Sequence, residues 1–266
     1  MSDDVRTRFR ALHESGTFVI PNPFDVGSGR LLEHLGFAAL ATTSSGFAAS
    51  LGRLDQRTTR AELVAHVAAI CAAVGIPVNV DAEHCFASDD GGVARTVELL
   101  AEAGASGISI EDFDPVRGGL VGLEESVDLV AEAAEACQRH GVLLTARAEN
   151  HLHGVEDVDD TIGRLQAYRS AGADVFYAPG PTDLAVIRRI VDEAGGPVNV
   201  LVLRGGPGVR ELADAGVRRV STGGGMAWAA YGGLVAAATE LRDHGTTGYL
   251  DTALSAAMRT GAFGRT

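Results

Sequence analysis

The chain has 266 residues, of which 46% are hydrophobic and 21% are charged, which is enough for one large domain with a sizeable core. Its 35 acidic residues outnumber its 22 lysines and arginines, and this formal net charge of -13 argues against nucleic-acid and anionic-membrane partners, which need a basic face. No apolar signal segment opens the chain and no stretch approaches ~18 consecutive apolar residues, so we expect a cytoplasmic protein.

Apolar periodicity and glycines divide the first part of the chain into alternating helices and strands. After a short helix over residues 5–15, strands are predicted at 17–20 and 37–42, with a helix at 26–35 between them. The segment TTSSGFAAS at 42–50 is predicted to be a loop, because it is rich in small polar residues and contains a glycine.

The alternation of strands and helices continues through the chain. Thr59 and Glu62 fit a capping box that begins the next helix. Six further strands are predicted, each followed by a helical stretch, in the segments PVNVD, GISIED, VLLTARAEN, DVFYAPG, PVNVLVL and VRRVSTG. Eight strand and helix units predict an α/β protein with a (β/α)8 TIM barrel, in one domain over residues 1–266.

A doubly wound open sheet is the alternative fold, but it would concentrate its polar strand ends at one switch point, whereas here they are spread over all eight strands. Two further apolar helical stretches, around 228–241 and 250–258, exceed what a minimal barrel needs. Their content of Ala, Leu and Gly suggests packing between subunits.

Carboxylates follow consecutive predicted strands. Asp81 and Glu83 end the third strand, Glu111 ends the fourth, and Asp55 lies in the loop after the second. The carboxyl ends of barrel strands meet on one face, so these four side chains can converge there. All-oxygen ligands favour Mg2+, with Mn2+ possible. Each carboxylate alone is also explained as a helix cap or an ion-pair partner.

Other strand ends carry groups suited to an anionic substrate. Arg147 lies within an apolar strand. Its planar guanidinium can bind a carboxylate or phosphonate of the substrate through two hydrogen bonds, or it can form an ion pair with the nearby acidic residues. Ser45, Gly46 and Phe47 follow the second strand and can hold an anion through backbone N–H groups, although an ordinary turn explains them equally well. Asn199 is a further candidate substrate ligand in the seventh strand.

At these residues the chain resembles the isocitrate lyase/phosphoenolpyruvate mutase superfamily, and the resemblance extends over nearly its whole length. The matching segments, in order, are PNPFDVGSGRLLEHLGF, TTSSGFAASLGRLDQ, VNVDAE, GISIED, TARAEN, GADVFYAPG and PVNVLVL. The resemblance implies a barrel whose last helix is exchanged between subunits in a homodimer or homotetramer. It also implies Mg2+ held most directly by Asp81, with Asp55, Glu83 and Glu111 reaching it mainly through water.

By the same resemblance, Ser45, Gly46 and Phe47 would bind the anionic end of the substrate. Arg147 would assist at the reacting group, and we expect it to be catalytic together with Asp55 and Glu111.

Two departures from the family pattern narrow the expected reaction. The lyase branch carries a catalytic cysteine after the fourth strand, where this chain reads EDFDPVRGGLVGL. The usual Gly-Tyr/Phe-Gly turn after the carboxylate strand is replaced by His84-Cys85-Phe86-Ala87. The three cysteines are far apart, which indicates reduced thiols and no cysteine zinc site.

The predicted function is a Mg2+-dependent lyase that breaks a C–C or P–C bond in a small 2-oxo or 2-hydroxy carboxylate through a pyruvate-enolate-like intermediate. Oxaloacetate decarboxylation and phosphonopyruvate hydrolysis are the leading reactions. A phosphoenolpyruvate phosphonomutase-type isomerase is the alternative within the class. A non-catalytic barrel that only binds small molecules is the alternative from another class.

Overall fold

Eight parallel strands close into a barrel in the computed structural model, which describes residues 2–264. The strands are β1 Phe18–Ile20, β2 Leu40–Ala41, β3 Val78–Asp81, β4 Gly107–Glu111, β5 Leu143–Arg147, β6 Val175–Tyr177, β7 Val198–Leu201 and β8 Arg219–Ser221. Their order around the barrel is β1-β8-β7-β6-β5-β4-β3-β2, and every hydrogen-bonded neighbour pair is parallel. The ring closes between β2 and β1, where Ala41 N donates to Pro21 O at 3.0 Å. The predicted barrel is confirmed over the open sheet.

Helices surround this barrel and continue beyond its last strand. They are α1 Ser2–Leu12, α2 Val26–His34, α3 Ser44–Ser50, α4 Arg60–Ala73, α5 Gly92–Glu102, α6 Leu123–His140, α7 Val158–Ser170, α8 Leu184–Ala194, α9 Val209–Asp214, α10 Gly225–His244 and α11 Ala256–Phe263. Two 3-10 turns, Asn150–His153 and Gly248–Thr252, and a hairpin of Phe113–Asp114 with Gly119–Leu120 complete the described part. The predicted capping box is present, since Thr59 and Glu62 cap each other's backbone at the start of α4.

Most of the core lies between the strands and the surrounding helices. Alternate strand residues point outward because side chains alternate across a strand, and they pack on the apolar stripes of the helices. Val80, Ile108 and Leu144 from three neighbouring strands are fully buried in this layer together with Val67 and Leu100 from α4 and α5.

A second, smaller core closes the amino-terminal end of the barrel. Phe9 of α1 is fully buried there and packs with Ile20, Leu143 and Val175. Gly107 makes this approach possible, because a Cβ at that position would lie 2.5 Å from the Phe9 ring. The opposite, carboxyl-terminal end stays open, and the polar side chains of the strand ends lie there.

One predicted element is wrong. Residues 44–50, expected to be a loop, form α3, whose N-cap is Thr43. The Thr43 hydroxyl accepts the Gly46 N–H, which offsets the weak helix propensity of a segment rich in Ser and Gly. In residues 2–264 we find no helix that is both long and apolar enough to cross a membrane.

Candidate active site

A cavity of about 170 Å3 opens at the carboxyl ends of the strands. Most of its lining residues are polar, and they come from all eight strands or from the loops that follow them. The lining residues that carry the argument are Ser44, Ser45, Asp55, Asn79, Asp81, Arg147, Tyr177, Asn199, Arg219 and Ser221. Of the residues predicted from sequence, Ser45, Asp55, Asp81, Arg147 and Asn199 line this cavity directly.

Asp81 is the carboxylate at the centre of the cavity wall. It ends β3, and its two oxygens have different partners: Oδ2 accepts the Ser44 N–H at 3.0 Å, and Oδ1 accepts from Arg147 Nη1 at 2.8 Å. Its own backbone N–H donates to the Thr42 hydroxyl. The carboxylate is thereby held rigidly between the start of α3 and β5.

Arg147 ends β5 and contacts three carboxylates at once. Besides Asp81, it reaches Glu149 Oε1 through Nε at 2.6 Å and Glu111 Oε2 through Nη2 at 3.3 Å. Its guanidinium also lies 5.0 Å from the centre of the Tyr177 ring. Burial opposes the charge of Arg147, but Glu149, Asp81 and Glu111 together hold its pKa well above the usual value. The arginine is therefore both an ion-pair partner and a cation facing the cavity.

Glu111 is placed beside the cavity and is almost fully buried. Its Oε1 accepts from Gln56 Nε2 at 2.7 Å, so the loop that carries Asp55 is tied to the end of β4. Burial raises the pKa of Glu111, and the neighbouring Glu149 and Asp81 act in the same direction against the opposing effect of Arg147. Such a group keeps its proton more readily than an ordinary glutamate.

Burial and neighbouring carboxylates also raise the pKa values of the remaining two predicted ligands, Glu83 and Asp55. Glu83 is buried, and burial together with the charges of Asp81 and Asp55 raises its pKa to about 8. Asp55 lies at the exposed mouth, and loss of water contact followed by the Asp81 charge raises its pKa. Asp81 therefore interacts electrostatically with both Asp55 and Glu83.

The start of α3 differs from the expected anion-binding loop. Gly46 N–H is bonded to the Thr43 hydroxyl and Phe47 N–H to the Thr43 carbonyl, while Ser44 N–H is taken by Asp81. Among the described contacts, Ser45 N–H is the one in this turn without a protein acceptor. Phe47 instead stacks on His66 with ring centres 3.8 Å apart. Of this segment, Ser45 is the residue left to face an anion.

Several residues of the site were missed in the sequence. Glu149 holds Arg147, Gln56 holds Glu111, and Tyr177 and Arg219 line the cavity. Asn199, predicted as a substrate ligand, uses its amide within the wall: Nδ2 donates to Ser221 and Oδ1 accepts from Arg219. The sequence signal for Arg219 was a charged residue inside the apolar strand VRRVS, the same signal that singled out Arg147.

The unusual turn after β3 is backbone-strained and buried. Glu83, Cys85 and Phe86 all have positive φ values, which are uncommon for residues other than glycine. Cys85 is fully buried in the outer core, where burial raises its pKa well above the usual value. Cys71 and Cys137 have pKa values raised to about 12, again chiefly by burial. None of the three thiols lines the cavity.

The residues present fit a divalent cation that keeps most of its water. Across residues 2–264, no three Asp, Glu, His or Cys side chains are close enough together to hold a metal directly. Yet Asp55 and Asp81 line the cavity, Glu83 and Glu111 interact electrostatically with Asp81, and the charge of Arg147 acts on Asp55, Glu83 and Glu111. Mg2+ typically uses one or two carboxylates and retains several waters, so this donor set is suitable for it.

Comparison with known proteins agrees with this architecture. Residues 9–242 match the family model described as phosphoenolpyruvate phosphomutase. A protein of Burkholderia cenocepacia J2315, provisionally described as a lyase or mutase, superposes with a TM-score of 0.92 at 45% identity, covering 96% of this chain and 95% of that one.

Two relatives with named activities are more distant. An oxaloacetate decarboxylase of Ectopseudomonas mendocina (strain ymp) is 33% identical over 232 residues, covering 83% of this chain and 78% of that protein. A 2-methylisocitrate lyase of Salmonella typhimurium is 31% identical over 197 residues, covering 71% of this chain and 66% of that protein. The chain therefore belongs to the phosphoenolpyruvate phosphomutase family, within the PEP mutase/isocitrate lyase superfamily of lyases and mutases that act on small carboxylates.

Proposed function

We propose that this protein is a Mg2+-dependent lyase that breaks the bond next to the carbonyl of a 2-oxo acid, with oxaloacetate-like decarboxylation or phosphonopyruvate-like hydrolysis as its reaction. The observation that carries the proposal is Arg147 held against Asp81 in a cavity that Asp55 also lines, with the pKa of Asp55 raised by burial and by the charge of Asp81. This arrangement joins a site for a cation with a guanidinium that faces the substrate. Mg2+ is the usual metal of the superfamily.

The residues of the chain have distinct parts in this reaction. Asp81 would hold Mg2+ most directly, with Asp55, Glu83 and Glu111 reaching it through water. When bound, Mg2+ supplies stabilisation of the negative charge that develops on the carbonyl oxygen of the substrate. Ser45 N–H would orient the anionic end of the substrate.

Arg147 would contact the group that leaves. In a decarboxylation, the bond between the leaving carboxylate and the adjacent carbon breaks, its electron pair passes into the enolate, and carbon dioxide departs neutral. The guanidinium holds the carboxylate oxygens in plane until the bond breaks. The enolate then takes a proton from water to give the 2-oxo acid product.

The missing loop cysteine favours these reactions over cleavage of an isocitrate. A lyase that releases a succinate-like carbanion needs an acid on the side of the substrate where the carbanion leaves. Decarboxylation needs no such acid, because carbon dioxide leaves neutral. Hydrolysis of a P–C bond needs none either, because the phosphoryl group is passed to water. In this chain the loop is a hairpin in which Arg117 pairs with Asp114 and Glu125. The similarity to oxaloacetate decarboxylases supports decarboxylation in particular.

The test is a pyruvate- or glyoxylate-release assay with Mg2+ over oxaloacetate, phosphonopyruvate, substituted malates and methylisocitrate, with Asp81→Asn as the inactive control. We expect turnover of oxaloacetate or phosphonopyruvate and none of methylisocitrate. Cleavage of methylisocitrate alone would overturn the argument from the missing cysteine. Conversion of phosphonopyruvate to phosphoenolpyruvate would identify the isomerase. If no substrate of the panel were turned over, a non-catalytic protein that only binds small molecules would be favoured.

We further propose that α10 is buried between subunits in a homodimer or homotetramer, with the carboxyl-terminal helices exchanged. Within this 20-residue helix, Ala227 is buried, whereas Trp228, Leu234 and Val235 are more than half exposed. Further exposed apolar residues follow it, among them Leu250 and Leu254. A continuous apolar surface of this kind is typical of a subunit interface.

A further inference from the structure

A buried carboxylate lies behind the cavity wall, where it does not face a substrate. Asp112 directly follows Glu111 at the end of β4, its side chain is 1% exposed, and it does not line the cavity. Its two oxygens contact different parts of the fold. Oδ1 accepts the Glu149 N–H at 2.8 Å, whereas Oδ2 accepts from Arg164 Nη1 at 2.9 Å and from the Tyr168 hydroxyl at 2.6 Å.

Both donors to Asp112 Oδ2 come from one face of α7. Arg164 and Tyr168 are four residues apart, so their side chains lie on the same side of the helix. A second ion pair, between Arg164 Nε and Asp160 Oδ2 at 2.8 Å, holds the guanidinium in place. Burial and the charge of Asp112 raise the pKa of Tyr168, so its hydroxyl stays protonated as a donor. The surrounding helix layer therefore fixes the Asp112 carboxylate.

Glu149 connects Asp112 to Arg147. Its backbone N–H donates to Asp112, and its carbonyl accepts the Leu152 N–H at 2.9 Å, so its backbone is held on both sides. Its side chain is 3% exposed, and Oε1 accepts from Arg147 Nε at 2.6 Å. The position of the Glu149 backbone thus sets the direction of the Arg147 Nε–H bond.

The planar guanidinium carries this direction into the cavity. Of its five N–H groups, the contacts with Glu149, Asp81 and Glu111 use one on each nitrogen. One N–H on each Nη is left for a ligand in the cavity that Arg147 lines. Because the group is rigid, a tilt at Nε would move both of these N–H groups together.

We propose that Asp112 is a positioning residue that orients the Arg147 guanidinium through Glu149. Only a side chain with an acceptor on both sides fits between its donors. Asparagine has the same shape, but its NH2 group would oppose either the Glu149 N–H or the donors of Arg164 and Tyr168. This assignment rests on the proposed function, in which Arg147 contacts the group that leaves.

The first test measures kcat and KM of Asp112→Asn, with Mg2+ and the substrate that the wild type turns over in the release assay. We expect kcat to fall by about 10- to 100-fold, because a catalytic group displaced by a fraction of an ångström to 1 Å costs up to roughly this much. KM should change by less than about twofold, since the Arg147 contact acts mainly in the transition state. An unchanged kcat in the folded variant would overturn the proposal.

A double-mutant cycle shows whether Asp112 acts through Glu149. Glu149→Met removes the acceptor for Arg147 Nε and keeps much of the side-chain volume. It should lower kcat at least as much as Asp112→Asn does, and adding Asp112→Asn to it should have no further effect. An equal effect of Asp112→Asn in both backgrounds would mean that Asp112 acts by another route, such as its neighbour Glu111, and would refute the proposal.

Asp174→Asn is the matched control. Asp174 also accepts a backbone N–H of β5 with one oxygen, that of Leu144 at 2.8 Å, and pairs with an arginine, Arg10, through the other. It precedes β6 at the amino-terminal end of the barrel, away from the cavity. We expect this variant to keep the wild-type kcat. A loss as large as that in Asp112→Asn would show a general effect of the substitution and would count against a positioning role.

Exchange of the Arg147 Nε hydrogen with water reports the same contact without turnover. NMR of protein with [15N]arginine detects this group, and its absence in Arg147→Met assigns the signal. In Asp112→Asn we expect exchange to be about tenfold faster or more, because a weaker hydrogen bond to Glu149 protects it less. Asp174→Asn should match the wild type, and unchanged exchange in folded Asp112→Asn would contradict the proposal.

Tyr168→Phe keeps the proposal testable if Asp112→Asn does not fold. It removes one hydroxyl and leaves Arg164 on the carboxylate, so we expect kcat to fall by about two- to fivefold, and not at all in the Glu149→Met background. No change in kcat and in Nε–H exchange would refute the positioning role.

The positioning role and the proposed reaction can fail separately. Faster Nε–H exchange in Asp112→Asn of a protein that turns over no substrate of the panel would remove only the reaction. Turnover that Asp112→Asn leaves unchanged, together with unchanged exchange, would remove only the positioning role.

Discussion

Replacing Arg147 with methionine tests how much of the stability of the site depends on one guanidinium. The side chain is 12% exposed, and its partners Glu149, Glu111 and Asp81 are 3%, 4% and 16% exposed. Methionine keeps much of the volume but leaves three carboxylates without their shared cation. Removing one partner of a buried ion pair typically costs 3–5 kcal/mol, so we expect a loss of about 3–5 kcal/mol at pH 7 without metal.

Urea unfolding followed by circular dichroism measures this loss. With a slope of about 2–3 kcal/mol per molar urea, the midpoint should fall by roughly 1–2 M. The matched control is Arg139→Met, whose ion pair with Glu135 is 53% and 76% exposed and should contribute less than about 0.5 kcal/mol. A loss in Arg147→Met no larger than in this control would refute the reasoning.

The pH dependence provides an independent check on the same variant. Burial raises the pKa of both Glu111 and Glu149, so these groups take up protons early as the pH falls. Once protonated, these two side chains carry no negative charge that the Arg147 guanidinium has to balance. The difference between wild type and Arg147→Met should therefore shrink from pH 7 toward pH 4, whereas a loss caused only by packing would stay constant.

Four further outcomes are expected. Arg147→Lys should lower kcat by about 10²-fold with a smaller change in KM, in steady-state kinetics, because an ammonium cannot keep the planar contact in the transition state. Asp81→Ala should remain folded, since Arg147 keeps two other carboxylates, yet lose Mg2+ binding in calorimetry; unchanged binding would remove the metal assignment. The pKa of Glu83 is raised from 4.5 to about 8, so its ionisation destabilises the folded protein as the pH rises through this window. Glu83→Gln should accordingly be more stable than wild type at pH 9, by roughly 1 kcal/mol or more, but unchanged at pH 4 in metal-free thermal unfolding. Light scattering should give an oligomeric mass for the wild type and a lower one for Leu234→Glu; a monomeric wild type at micromolar concentration would contradict the interface.

The sequence predicted the elements that have a strong local signal. Apolar residues at helical spacing after the Thr59 capping box identified α4, and the strand segments ending at Asp81, Glu111 and Arg147 were each found. The helix α3 was missed because its stability comes from the Thr43 cap and from close packing of Gly46, where a Cβ would lie 2.6 Å from Thr43 Cγ2. Neither contact has a periodic signature.

By itself, the sequence determined the barrel and the face on which the charged groups lie, because strand periodicity and the polarity of strand ends are local properties. Only the tertiary structure decided which group contacts which. It placed Arg147 between Asp81, Glu111 and Glu149, used the Gly46 and Phe47 N–H groups inside α3, and left Arg219 among neutral partners in the cavity wall. These pairings join different strands, and their energies depend on distance and burial, which are set only when the barrel closes.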